Sequence, residues 1–168
     1  MEYLITTPRL RLRQHVLSDA PYMLELNSDP EVVRYTGDTA LEDIAAAEAV
    51  VRYVQSQYEQ YGMGRWVVEL IETGEILGWC GLKMHPDERV VDLGYRFHQR
   101  HWRKGYAFEA AEACFKYGVE VLHLTKMIGS SSGENIGSVR ILEKLGFQYT
   151  NDEIEDGVVF RVFEWHAS

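Results

Sequence analysis

The chain has 168 residues, 46% hydrophobic and 26% charged, the composition of an ordinary folded protein long enough to bury a core without disulfide support. That balance excludes intrinsic disorder, collagen and coiled coil, and no run approaches the roughly 18 uninterrupted apolar residues of a membrane span. The 17 basic and 26 acidic residues leave a net charge of −9, a surface that repels duplex nucleic acid and attracts cationic ligands, or that serves solubility alone.

In chain order, Arg9-Leu10-Arg11-Leu12-Arg13 alternates strictly and predicts a half-buried strand. Ser18-Asp19 opens a helix carrying Tyr22, Met23, Leu24 and Leu26, which stops before Asp29-Pro30. Thr39 with Glu42 three residues later forms a capping box. It predicts a long helix with Leu41, Ala45, Val51, Val54 and Tyr58 on its apolar side, ended by Gly62. Residues 66–71 and 76–84 read as strands joined by Glu72-Thr73-Gly74-Glu75, and His85-Pro86-Asp87-Glu88 turns into a third strand over 90–97. A second long helix is predicted over about 104–122, a strand over 126–130, and a helix over 136–145 that Gly146 ends. Two last strands, 147–149 and 158–165, pair across Asp156-Gly157. The order β-α-α-β-β-β-α-β-α-β-β predicts an α+β fold: a mixed, mostly antiparallel seven-stranded sheet in a three-layer α/β/α arrangement, with one βαβ crossover. With no linker or repeat, residues 1–168 are expected to form one domain.

The opening segment has no apolar stretch behind a basic start, so no secretory signal is expected. Cys80 and Cys114 lie far apart without a pairing pattern and are expected as reduced thiols at core positions in a cytoplasmic protein.

The densest chemistry lies between Arg96 and Ala107. Arg96, Arg100, Arg103 and Lys104 fall within nine positions where a strand ends and a helix begins. The free N–H groups and positive dipole end of a helix N-terminus suit a phosphate there, and Gly105 and Ala107 allow close backbone approach. The same residues also describe a plain turn with a solvated basic rim.

Trp102-Arg103-Lys104-Gly105-Tyr106-Ala107 resembles the Q/R-x-x-G-x-G/A diphosphate signature of the GNAT superfamily of N-acetyltransferases, with Trp102 at the leading position and Arg103 where glycine is common. The segment Asn135-Ile136-Gly137-Ser138-Val139-Arg140-Ile141-Leu142-Glu143-Lys144-Leu145-Gly146-Phe147 is similar to that family's N-x-x-S/A-x-x-x-x-E-K-x-G-F stretch. The opening Thr7-Pro8-Arg9-Leu10-Arg11-Leu12-Arg13 and Asp29-Pro30-Glu31-Val32 resemble the branch typified by ribosomal-protein N-terminal acetyltransferases. The resemblance implies acetyl-CoA as donor, with no metal, and a primary amine as acceptor: a protein N-terminus or a small amine. It implies that Phe97 and His98 offer backbone to the pantetheine arm. It further implies that Arg103, Lys104, Gly105, Tyr106 and Ala107 hold the diphosphate, Asn135 meets the pantetheine, and Ser138 faces the sulfur. Similar proteins are often homodimers.

The reaction sets its own requirements. An ammonium must lose a proton before it attacks, a tetrahedral oxyanion needs a preset donor, and a thiolate must depart. Asp92 is the candidate proton acceptor, its carboxyl raised by apolar strand neighbours, or else an exposed strand aspartate. Alternation puts Asp92 with Gly94 and Arg96, opposite Tyr95 and Phe97, unless a bulge intervenes; a bulge would also supply an unpaired oxyanion donor. Where many family members have a tyrosine to protonate the thiolate, this chain has Leu142, which leaves Ser138 as the nearby hydroxyl. Ser138 and Asn135 read equally as first-turn serine and N-cap.

Two other classes fit parts of the sequence. One is an acyl-CoA-binding module or sensor of the same fold without catalysis. The other is a serine hydrolase, since Gly129-Ser130-Ser131-Ser132-Gly133 fits G-x-S-x-G with Asp152, Asp156 and His166 downstream. His98 and His101 lack a third ligand at metal spacing. The four tryptophans read as packing rather than nucleic-acid stacking.

Overall fold

The computed structural model describes residues 2–34, 36, 38–132 and 134–168. Its strands are β1 (Ile5–Thr6), β2 (Leu10–Arg13), β3 (Arg65–Leu70), β4 (Ile76–His85), β5 (Val90–Phe97), β6 (Lys126–Ser132), β7 (Gln148–Glu155) and β8 (Val158–His166). The helices are α1 (Ala20–Ser28), α2 (Pro30–Val33), α3 (Ile44–Tyr61), α4 (Tyr106–Glu120) and α5 (Ile136–Lys144). The strands form one sheet in the order β1-β2-β3-β4-β5-β6-β8-β7, antiparallel throughout except for the parallel neighbours β5 and β6. Helix α4 makes the crossover between those two.

Alternation along β3 divides the core. Val68 points to the cluster that includes Leu10, Leu12, Trp66, Leu82 and Leu93, capped by Ala110, Ala111 and Cys114 of α4 and Leu142 of α5. Val67 points the opposite way, into Met23 and Leu26 of α1 and Ala47 of α3. Each face of the sheet therefore buries apolar area against helices, the main driving force for a three-layer fold. Cys80 and Cys114 are free and buried in the first cluster. Burial and the neighbouring Cys80 push the Cys114 thiol well up, which makes it unreactive.

Several predicted boundaries move. The sheet has eight strands rather than seven, because the two-residue β1 folds back on β2. The capping box at Thr39 does not form. Asp43 caps α3 instead, its carboxylate accepting from the Ala46 N–H at 2.8 Å. Leu41 packs beside α1 and gives its amide to the Asn27 carbonyl, so it leaves the helix. Strand β7 extends to Glu155 and every one of its residues is exposed, which hid it from any burial pattern. Arg13 is inside, held by Asp19 and Glu69 at 2.6–2.9 Å. No helix among the described residues is long and apolar enough to cross a membrane.

Candidate active site

Strand β5 is the spine of the site. Its ladder with β4 runs from His85–Val90 to Gly78–Phe97 without irregularity, so no bulge interrupts it. The His98 N–H donates to Leu77 O at 3.0 Å, continuing that ladder. Antiparallel alternation then turns the backbone groups of Leu93, Tyr95 and Phe97 away from β4, toward β6. Asp92 opposite Ile128 is the one registered pair between β5 and β6 among the described residues. Beyond it the strands diverge, and Gly94–Phe97 (residues 94–97) face a gap across from residues 130–132 of β6. Strand divergence opens this edge, not the bulge that the oxyanion argument invoked.

His98 cannot offer backbone to that gap, which corrects the sequence expectation. Its N–H goes to Leu77 and its carbonyl accepts from His101 N–H at 2.9 Å. The Phe97 carbonyl is taken by the Trp102 indole N–H at 2.9 Å, and that bond explains the tryptophan at this position: it ties the loop to the strand end. Phe97 itself is buried.

The loop that follows is a 3-10 turn, Gln99–His101, then an extended Trp102 and two residues in the left-handed region, Arg103 at φ +62° and Gly105 at φ +82°. A left-handed requirement accounts for the usual glycine where Arg103 stands. Gly105 caps α4 with no side-chain hydrogen bond. Among the described residues, the N–H groups of Arg103, Lys104, Gly105, Tyr106 and Ala107 donate to no protein acceptor. The Phe108 N–H is without an acceptor in the same way, so among the described residues six consecutive donors stand free, the last three opening a 15-residue helix.

The sequence missed the brace that holds this loop. Arg9 donates to Lys104 O at 3.0 Å and to Glu109 at 2.7 Å, and its guanidinium lies 4.5 Å over the Tyr106 ring. Thr7 donates to Glu109 at 2.6 Å. Burial alone would raise the Glu109 carboxyl, but the hydrogen bonds from Thr7 and Arg9 outweigh it and hold it low. Arg9 and Glu109 lie 100 positions apart, and no local pattern signals such a pair. Of the four basic residues, two are diverted: Arg96 to Asn27 and Asp38, and Arg100 to Glu25 and Glu75. Arg103 and Lys104 remain at the loop.

On the opposite face of β5, Asp92 lies 3.3 Å from Arg65 Nη2 and 3.3 Å from His85 Nε2. Arg65 also donates to the carbonyls of Gly81 and Asp92. Burial alone would push the Asp92 carboxyl up, but the charge on Arg65 and the hydrogen bond with His85 outweigh it. The carboxyl sits below its ordinary value, contrary to the raised one expected for a base. Arg65 and Arg96 both lie against the ring of Trp79, at 5.1 and 5.3 Å.

At the start of α5, Asn135 is the N-cap, its Oδ1 accepting from Ser138 N–H at 3.2 Å. Leu142 is buried against Gly129, where a Cβ would meet it at 2.5 Å. Tyr95 is a residue the sequence argument passed over. It stacks on Phe97 with ring centroids 5.9 Å apart, and burial raises its hydroxyl to about 12. Its neighbour was visible in sequence only as the polar side of an alternating strand.

The hydrolase constellation does not assemble. The buried Ser131 hydroxyl donates to Ser132 O and Asn135 O, and His166 sits opposite Lys126 at the other end of β6. Gly133, the last glycine of that motif, lies outside the described residues. No cluster of three metal-ligating side chains occurs among the described residues.

The profile of the acetyltransferase (GNAT) domain matches residues 9–148. YkkB of Bacillus subtilis (strain 168) is 35% identical over 149 residues, 87% of this chain and 86% of that protein. The N-acetyltransferase p20 of Bacillus licheniformis is 32% identical over 143 residues, 84% and 80% of the two chains. Among solved structures, a RimL ribosomal alpha-N-protein acetyltransferase in complex with coenzyme A overlays with a TM-score of 0.83 at 12% identity, covering 99% of this chain and 98% of that one. Spermidine N-acetyltransferase from Vibrio cholerae, in complex with CoA and spermine, gives 0.81 at 18% identity, covering 95% and 96%. At those identities the two structures speak to fold.

Proposed function

The chain belongs to the GNAT acetyltransferase family, and from that premise we propose that it transfers the acetyl group of acetyl-CoA directly to a primary amine. The observation that supports the reading is the row of uncommitted amides from Arg103 to Phe108, set where β5 ends beside an open strand edge. Backbone amides at a helix start neutralise a diphosphate without the entropy of placing long side chains. The residues present fit such a group: the left-handed turn at Gly105 brings main chain to the surface, and Arg103 and Lys104 add charge. Acetyl-CoA supplies the activated acetyl thioester.

The protein's own residues then have separate tasks. The backbone of Tyr95 and the N–H of Phe97, whose carbonyl Trp102 occupies, face the gap and offer hydrogen bonds to an extended amide-bearing arm, as a strand would. Asn135 orders the first turn of α5 beside it. Asp92, held as a carboxylate by Arg65 and His85, is a poor proton acceptor, so the amine must arrive largely neutral. Roughly a tenth of an α-amine is neutral at pH 7, against fewer than about one in a thousand lysine side chains. That difference favours an α-amine acceptor, such as a protein N-terminus or a small amine of similarly low pKa.

Calorimetric titration with acetyl-CoA, followed by thiol release against a panel of α-amines, polyamines and lysine peptides, tests this. Binding with thiol release on α-amines supports it. Binding without release on any amine would leave a sensor, and absence of binding at millimolar acetyl-CoA would end the reading.

A further inference from the structure

Beside the β7–β8 hairpin lies a cleft of about 510 Å³, lined by Ser132, Glu134, Asp152, Val159 and Arg161 together with Arg34 from the end of α2. That volume suits a small ligand or a few residues of peptide. Ser132, the last residue of β6, also borders the strand gap, so cleft and gap meet there. An amine that enters the gap must leave the rest of its molecule in an adjoining space, and the cleft is such a space.

The cleft holds one charge without a counterpart. Arg161 is half-buried, its guanidinium 4.9 Å over the Tyr149 ring and 5.5 Å over the Phe163 ring. Among the described residues it makes no ion pair and donates no hydrogen bond. Asp152 stands opposite it in register, yet its Oδ1 accepts from the Tyr149 hydroxyl at 3.0 Å instead. Arg34 is paired with Glu31 at 3.8 Å. The two acids of the cleft, Glu134 and Asp152, are exposed, where water and salt screen them. The two rings fix the plane of the Arg161 guanidinium, and its five donors match a carboxylate in a paired fork.

We propose that Arg161 binds a carboxylate of the acceptor, so that the acceptor is an amine bearing an acidic group rather than a polyamine. This rests on the acetyl-transfer reading above. Arg161 is in register with Ser131, one strand spacing of about 4.8 Å from the strand that borders the gap. Extended peptide advances roughly 3.3 Å per residue, so an α-amine in the gap brings the side chain of its second or third residue to Arg161. The acceptor class is a peptide or protein N-terminus with aspartate or glutamate at one of those places.

The probes are pairs of short peptide amides that differ only in glutamate against glutamine at the second or the third residue. Thiol release from acetyl-CoA should show about tenfold higher kcat/KM for the glutamate member of one pair, through a lower KM, and added salt should narrow the ratio. In Arg161→Gln the ratio should fall to about one, and in Arg161→Glu a lysine peptide should overtake the glutamate one. Arg161→Lys, which keeps the charge and loses the fork, should retain part of the preference. Equal rates for glutamate and glutamine peptides in wild type, or a full preference in Arg161→Gln, would overturn the proposal while leaving acetyl transfer intact. Thiol release on no peptide ends acetyl transfer to this class. Calorimetric titration of the same peptides into wild type then decides the cleft alone: tighter binding of the glutamate member sustains it, and equal affinity, or none, overturns it.

Discussion

Replacing Gly105 by alanine separates the loop's backbone from its side chains. Gly105 holds φ +82°, and an alanine there costs about 1–2 kcal/mol. Its Cβ would also lie 3.3 Å from Arg9 Nη2. Arg9 cannot easily retreat, because it bonds Lys104 O and Glu109 and covers Tyr106. At roughly 2–4 °C per kcal/mol for a chain of this size, Gly105→Ala should melt about 2–8 °C below wild type. The same methyl crowds these amides. If it weakens acetyl-CoA tenfold, the ligand-induced stabilisation measured at one fixed saturating concentration falls by about 1.4 kcal/mol. Differential scanning fluorimetry with and without acetyl-CoA reads both effects. A Gly105→Ala protein with wild-type melting and a wild-type acetyl-CoA increment would refute both the strain and the cradle.

Arg103→Gly relieves a left-handed arginine and should raise the melting temperature by an amount equivalent to about 0.5–1 kcal/mol, while weakening acetyl-CoA through the lost charge; a melt and a calorimetric titration report each separately. Asp92→Asn removes a carboxylate whose folded pKa lies below its unfolded value. Its stabilisation is fully present above the ordinary aspartate value and is lost as pH falls below that value through the lower folded one, so the melting difference from wild type should be full at pH 7 and shrink only below the ordinary aspartate range. Leu142→Tyr should not restore a proton donor. The larger ring must displace the packing on Gly129, at a cost of about 1–3 kcal/mol read by denaturant titration, with no gain in thiol release.

The β5 span, the hairpin turn at Asp156-Gly157 and the Asn135 cap were all legible in the sequence, because each rests on local chemistry: alternation, a turn dipeptide, a side-chain acceptor at a helix start. The turn residues take φ +49° and +78°, as the dipeptide suggests. What stayed hidden depends on contacts across the fold. Asp92 looked like a carboxylate among apolar neighbours until β3 brought Arg65 to it from 27 positions away. The local density of Arg96, Arg100, Arg103 and Lys104 overstated the anion site, because α1, Asp38 and the β3–β4 turn consume two of the four charges. The Thr39 capping box lost to Asp43 because a tertiary bond from Leu41 to α1 decided where α3 could begin.

The outermost strand of the sheet has a bearing on how copies of the molecule meet. A strand with one side unsatisfied is a template for another chain. Here Asp152, Glu153 and Glu155 lie on it and Asp156 at its tip, all exposed, and the register slips between Tyr149 and Asn151. Two molecules aligning along this rim would press like charges together on a kinked ribbon. Near neutrality the rim is therefore self-avoiding, and acid, by discharging it, should be what lets the protein clump.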